Sequence, residues 1–293
     1  MEHQLWPLLE KHLAGLASPF KPHCTYQDRD IVRVFFWAVL HDRPTCWACQ
    51  LKNWPLHARR RPLPSPSQMS RRLRSASVLD LARRLERAVL APRGLPPLLA
   101  LMDGKPLPVG AVSKDPQAGY GRVAKGMWAR GYRLHLIVAS DASILSWRVA
   151  PVNRDERAMG RRLLRDAQAQ GYVVADANYD DSSLHDICLK KGELWLVTPS
   201  RAPKAKGLGH VYQSPGRLHS LQMVRNRLSG FSRGLLWQRK AIERFFGQLT
   251  SFGGGLSPLP AWVRTHRRVS RWVQAKLIFN RLRMDAHGLT CVA

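Results

Sequence analysis

The sequence predicts a mixed α/β core, a sheet flanked by helices, preceded by a small all-helical region. Three observations predict it. Before residue 95 the apolar residues recur at helical spacing, and no stretch alternates as a strand would. From Leu95 onward, short apolar runs are interleaved with amphipathic stretches in the order strand, strand, strand, helix, strand, helix, strand. The 293 residues, 45% hydrophobic, are enough to bury one large core or two smaller ones. The expected boundary puts a helical domain at 1–94 and the sheet-bearing domain at 95–293.

The elements follow in order. The N-terminal stretch MEHQLWPLLEKHLAGL reads as an amphipathic helix with acids and without the apolar core of a signal peptide. Ile31, Phe35 and Val39 place one helical face on Asp28–His41, with Thr25 and Asp28 spaced as a capping box. A short helix starts at Thr45 and ends at Pro55, and the proline-rich basic stretch RRRPLPSPS connects it onward. Ser67 is the expected N-cap of QMSRRLRS, and Ser77 begins a longer helix with Val78, Leu81, Leu85 and Val89 inward. LPPLLALMD then reads as a buried strand ending in an acid. YGRVAKGMWARG reads as a basic glycine-containing loop, YRLHLIVAS and ILSWRVAP as two strands, and NRDERAMGRRLLRDAQAQG as a helix with acids in its first turn and a glycine stop. YVVAD is a fourth strand, SSLHDICLKKG a helix and ELWLVTPS a fifth strand. Residues 200–233 show little periodicity and read as a basic insertion or loop. The stretch 261–285 is a basic C-terminal helix with Val269, Val273 and Leu277 on one face.

The formal charge of +27 and pI near 11.1 bear on partners rather than on fold. Nucleic acid is the expected partner; an anionic membrane surface is the competing one, but no apolar stretch is long enough to span a bilayer. The charge is uneven: +9 over 1–97, +3 over 98–199 and +15 over 200–293. The near-neutral middle reads as the folding core. Five scattered cysteines fit reduced thiols and a cytoplasmic setting. Cys46 and Cys49 form a C-x-x-C, but there is no second pair to complete a zinc site. His135 alternates on a strand and reads as packed.

Three carboxylates stand out against this basic background. Asp103 and Asp176 each directly follow an apolar strand, and Glu243 lies in the helical stretch RKAIERFFGQL, where acids are scarce. Carboxylates at the ends of neighbouring strands would meet at one sheet edge, and a packed helix could add the third. Such oxygens suit Mg²⁺ or Mn²⁺, and two such ions can activate the attacking oxygen and stabilise the leaving one in phosphodiester displacement. Singly, Asp103 or Asp176 would be a turn acid, and Glu243 a surface acid paired with Arg239 at i,i+4 spacing. Asp180 and Asp181 are rivals to Asp176, with helix capping as their more natural role.

Basic side chains supply candidate DNA contacts. Arg71, Arg72 and Arg74 lie on QMSRRLRS, which reads as a recognition helix or as a solvated basic helix. Arg122, Lys125, Arg130 and Arg133 surround Trp128 and Tyr132, aromatics placed either to stack on an unpaired base or to pack in the core. Arg239, Arg244, Arg267 and Arg268 complete the set of phosphate-binding candidates.

LLALMDGKPLPV, VVADANYDDSSL and RKAIERFFGQLTSFGGG, in this order and with the element pattern above, resemble the three motifs of bacterial insertion-sequence transposases of the DDE type over residues 95–285. Asp176 with Tyr179, and Arg239 with Glu243 before Phe245 and Phe246, carry the second and third motifs. Where the extended third motif has Tyr and Lys, this chain has Leu236 and Thr250. The resemblance implies an RNase-H-like catalytic core in which a triad of Asp103, Asp176 and Glu243 binds two Mg²⁺ or Mn²⁺ ions. It also implies a cut-and-paste DNA transposase that binds terminal inverted repeats and target DNA, works as a homodimer or higher synaptic assembly, and sits in the cytoplasm at the nucleoid. A metal-dependent nuclease of the same fold without strand transfer, and a catalytically decayed DNA-binding relative, are the alternatives.

Overall fold

The computed structural model describes residues 2–58, 62–92, 95–201, 212–225, 229–251 and 256–288. The chain divides into two units: Met1–Ala91 with Leu249–Leu289, and a second unit that begins at Pro92 and runs to Gln248.

The first unit is helical. Its elements are α1 (Glu2–Ala14), α2 (Asp28–Leu40), α3 (Thr45–Ala48), α4 (Pro66–Arg72), α5 (Ala76–Leu90) and, from the far end of the sequence, α11 (His266–His287). Trp6, Trp37 and Trp54 pack together near its centre, with Trp37 stacked on Trp54 at 4.6 Å between ring centroids. Buried aromatics of this size contribute large apolar area and fix relative geometry. Asp28, itself buried, is held by Lys21 and Arg72, each at 2.7 Å. The N-caps differ from the sequence expectation. Gln27, with Asp30, closes the box on α2, and Ser65 rather than Ser67 caps α4 through the Gln68 N–H. Pro66 decides the second case, since a proline is well placed as the first helical residue.

The sequence places the C-terminal helix in the 95–293 domain. Helix α11 is grouped with the N-terminal helices, where Phe279 meets Phe36 at 5.6 Å, Gln274 bonds Glu86, and Lys276 pairs with Asp42. It is buried nearly all round from Trp272 to Leu282, so it is the central element of the helical unit.

The second unit carries a mixed sheet, as the sequence predicts, with six strands where five are expected. Its strands are β1 (Leu99–Pro108), β2 (Gly119–Ala124), β3 (Met127–Ala139), β4 (Ile144–Pro151), β5 (Gly171–Ala175) and β6 (Leu194–Val197). The order is β2-β3-β1-β5-β6, with β4 also paired to β3. Strands β1 to β4 join antiparallel, while β1–β5 and β5–β6 are parallel. Helices α6 (Glu156–Asp166) and α7 (Ser182–Lys190) make the crossovers. Leu163, Leu164, Leu184 and Cys188 from these helices join Ala100, Met102, Ile137, Val173 and Leu196 of the sheet in one core.

Two readings of this region are revised. The predicted loop YGRVAKGMWARG is the β2–β3 hairpin, turning at Lys125-Gly126 with Gly126 at φ +74°. The segment 200–233 contains helix α8 (Pro215–Arg225) and the start of α9 (Gly230–Trp237), ahead of α10 (Lys240–Ser251). Residues 202–211 and 226–228 of that segment lie outside the described residues. Helix α8 is fixed by tertiary contacts: Arg217 binds the buried Asp180, Ser220 accepts from the Thr198 N–H at 2.9 Å, and His219 meets Trp195. Phe231 of α9 meets Tyr172 of β5 edge-on at 5.4 Å.

Candidate active site

Strand register brings the first two carboxylates together. The parallel β1–β5 ladder ends at Met102↔Ala175, so the next residues on the two strands are Asp103 and Asp176. Neighbouring strands lie about 4.8 Å apart, which places the two side chains within each other's field. Asp176 ends its strand, as expected. Asp103 does not: β1 runs on to Pro108, paired only with β3, where Asp103 faces Leu136. The carboxyl edge of the parallel ladder, rather than the end of a strand, is what Asp103 marks. Asp103 accepts from the Gly104 N–H at 2.7 Å, and Asp176 accepts from both the backbone and the side-chain N–H of Asn178. These bonds fix the carboxylates before any ligand arrives.

The electrostatics record the proximity. Burial, and then the charge of Asp176, push Asp103 up to about 6, while the Gly104 N–H, Arg239 and Arg133 pull it down. Arg133, on β3, is lowered by burial and supported by Tyr179, Asp103 and Asp176. Tyr179 is fully buried, its hydroxyl has no hydrogen-bond partner among the described residues, and burial together with the two carboxylates raises it well above its usual range. It can sit there because of Gly160 on α6, where a β-carbon would come within 3.0 Å of the Tyr179 ring and 2.7 Å of Leu184. The short turn Ala177–Tyr179 that follows Asp176 is thereby anchored in the core. Paired acids, a flanking guanidinium and a buried hydroxyl at a sheet edge form a constellation able to hold a hard cation beside a phosphate.

Residues 94–271 match the family described as Transposase DDE domain. The chain belongs to the transposase DDE domain family. No curated protein matches the chain. The mixed sheet flanked by helices is that of an RNase-H-like DDE domain.

In this DDE domain, Asp103 and Asp176 fit the donor set of Mg²⁺, which takes one or two carboxylates and fills its remaining positions with water and phosphate oxygens. Their half-buried setting fits too, because a cation would offset the burial, and then the Asp176 charge, that raise Asp103. The third carboxylate is not brought to them. Among the described residues no group of three or more His, Cys, Asp or Glu side chains is close enough to hold a metal ion. Glu243 is exposed, one helical turn beyond Arg239, and among the described residues the ion pair that their spacing permits is not formed. The group from this part of the chain that reaches the field of Asp103 is Arg239. Helix α10 buries Ala241, Ile242, Phe245 and Phe246 and leaves Glu243 and Arg244 outward.

The other predicted site residues separate into two groups. Arg71, Arg74, Arg122, Lys125, Arg130, Arg239, Arg244, Arg267 and Arg268 are exposed. Arg72 is corrected: its guanidinium is committed to Asp28 and the Tyr26 carbonyl, so it holds α4 to α2. The grip expected along the whole C-terminal helix narrows to its first turn, because Arg271 is bonded to the Leu73 carbonyl, Lys276 to Asp42 and Arg281 to Asp285. Asp181 caps α7 through the Ser183 N–H, as expected, whereas Asp180 pairs with Arg217. Tyr132 is buried and bonded to Asp115 at 2.8 Å, while Trp128 is exposed. His135 is packed: burial, then Arg133, push it down to about 3, so it stays neutral. Arg133 is the site residue that the sequence presents only as one cation among several. A charge set directly before the apolar end of a strand is the signal that marks it.

Proposed function

We propose that the protein is a DNA transposase that binds the terminal inverted repeats of its element, cuts the DNA there and joins the freed 3′-OH to target DNA. The observation that carries this reading is the meeting of Asp103 and Asp176 at the carboxyl edge of the β1–β5 ladder, in a chain of the transposase DDE domain family. Asp103 and Asp176 would hold a divalent cation, Mg²⁺ or Mn²⁺, with Glu243 completing a second cation position once α10 brings it inward. The bound cations would supply the Lewis acid that polarises the scissile phosphate and lowers the pKa of the attacking water.

The protein's own groups do the rest. Asp103, ionising near pH 6, is mostly a carboxylate at neutral pH and ready as a ligand. Arg239 would meet a non-bridging phosphate oxygen beside Asp103, and Arg133, itself ion-paired with Glu156, would add positive charge beside the carboxylates. Exposed Arg71, Arg74, Arg267 and Arg268 of the helical unit, and Arg244 on α10, would grip the DNA backbone. Two element ends must be cut in concert, so a homodimer or larger synaptic assembly on DNA in the cytoplasm is part of the proposal.

The test is incubation of the full chain and Mg²⁺ with a plasmid carrying the DNA that flanks its coding region. Transposition predicts cut ends followed by joined products. Cut product that is never joined would instead identify a nuclease of the same fold.

A further inference from the structure

The β2–β3 hairpin has two unlike faces. Residues alternate between them, so Gly119, Gly121, Ala129 and Gly131 share one face, and Tyr120, Arg122, Trp128 and Arg130 share the other. The first face is pressed inward: a β-carbon at Gly121 would come within 3.1 Å of Val152, and one at Gly131 within 2.9 Å of Pro108. The second face is open. Tyr120 and Trp128 are each 61% exposed, and Met127 at the turn is 62% exposed. Most of the surface of these large aromatics is left open to solvent.

Register arranges this open face as a checkerboard. Tyr120 lies opposite Arg130 and Arg122 opposite Trp128. The aromatics therefore sit on one diagonal, 6.0 Å apart and 27° from coplanar, and the arginines on the other. Lys125 adds a cation at the turn, and no acid occurs from residue 116 to residue 140. A partner for this surface must offer flat π faces at close intervals and negative charge beside them.

We propose that the open face of the β2–β3 hairpin binds unpaired DNA, with bases stacked on Tyr120 and Trp128 and the backbone held by Arg122, Arg130 and Lys125. Duplex DNA offers the negative charge but keeps its base faces stacked on one another. An acidic protein surface offers the charge without the regular π faces. Single-stranded DNA offers both, and stacking on aromatics is tolerant of base identity. The inference rests on the reading that the chain acts on DNA, but it needs no cleavage.

The full chain is tested in EDTA, with fluorescence anisotropy of labelled oligothymidylate of about 20 nucleotides and of a duplex of the same length, at about 0.3 M salt to weaken purely electrostatic binding. The double variant Tyr120→Ala, Trp128→Ala should bind the single strand weaker by about five- to a hundred-fold per stacked base. Its duplex affinity should change by less than about two-fold, since that binding is set by phosphate contacts. The variant Tyr120→Phe, Trp128→Phe keeps both π faces and should stay within a few-fold of the parent chain. Unchanged single-strand affinity in the alanine variant overturns the proposal. So does an equal loss for duplex, which would make the hairpin a duplex contact, or a loss of self-association with single-strand binding intact, which would make its occupant a second copy. Failure of the cleavage assay with binding preserved would strike the transposase reading and leave this one standing.

Discussion

Replacing Asp103 with Asn should make the protein more stable at neutral pH. Asp103 ionises near 6 in the fold against an ordinary value of 3.8. The native state therefore favours the protonated form, and ionising this side chain costs folding free energy. At about 1.4 kcal/mol for each tenfold change in proton affinity, the full cost is about 3 kcal/mol. A raised carboxyl gives its stability below the unfolded value and loses it as pH climbs through the folded one. The loss therefore begins near pH 4 and is complete a little above pH 6. The amide of the Asp103→Asn variant would not titrate, and its side-chain oxygen could still accept the Gly104 N–H. Urea denaturation of both proteins from pH 4 to pH 8, in EDTA, is the assay. The two should be nearly equal at pH 4 and separate by up to about 3 kcal/mol in favour of Asp103→Asn at pH 8. Added Mg²⁺ should narrow the gap by stabilising the parent chain alone. A gap that does not change with pH, or a variant less stable at pH 8, would refute the burial and repulsion inferred for this site.

Other perturbations follow from the same geometry. Arg217→Ala leaves the Asp180 carboxylate buried and unpaired and should cost about 3–5 kcal/mol in chemical denaturation, most of it recovered in Asp180→Asn, Arg217→Met. Burial works to raise Asp180, but Arg217 and the Arg201 N–H outweigh it and hold it low, so the pair's contribution should persist at neutral pH and disappear as pH falls below the ordinary carboxylate range. Tyr179→Phe removes a buried hydroxyl without a partner and should leave stability unchanged or improved by about 1 kcal/mol, measured as a shift in Tm. Gly160→Ala forces Tyr179 and Leu184 to move and should cost about 1–3 kcal/mol, with weaker Mn²⁺ binding if the turn after Asp176 is displaced with them.

Most of the sheet, and the placement of Asp103 and Asp176 beside it, are legible in the sequence because their signals are local. LLALM and YVVA are continuous apolar runs, and each is followed by an acid. What the sequence does not disclose depends on partners far along the chain. The β2–β3 hairpin reads as a loop because its alternation sets glycine against aromatic and arginine, a pattern with no apolar stripe. Helix α8 has no clear periodicity, and Asp180 and Thr198 supply what holds it. Helix α11 looks like a basic surface helix because its buried Lys276 counts as polar until Asp42, far back in the chain, is seen beside it. Arg72 misleads for the same reason, since Asp28 lies 44 positions away. Glu243 reads as the third acid from its motif, yet α10 leaves it exposed, and a motif does not fix a helix's rotation.

The central claim is that Asp103 and Asp176 form a cation-binding pair that serves DNA cleavage, joined by Glu243. Its most direct test is Mn²⁺ binding, followed by electron paramagnetic resonance, alongside Mg²⁺-dependent cleavage of end-containing DNA, for Asp103→Asn, Asp176→Asn and Glu243→Gln. The first two variants should lose both Mn²⁺ binding and cleavage, and Glu243→Gln should lose cleavage while retaining one bound ion. Undiminished cleavage by Asp103→Asn or Asp176→Asn would contradict the claim.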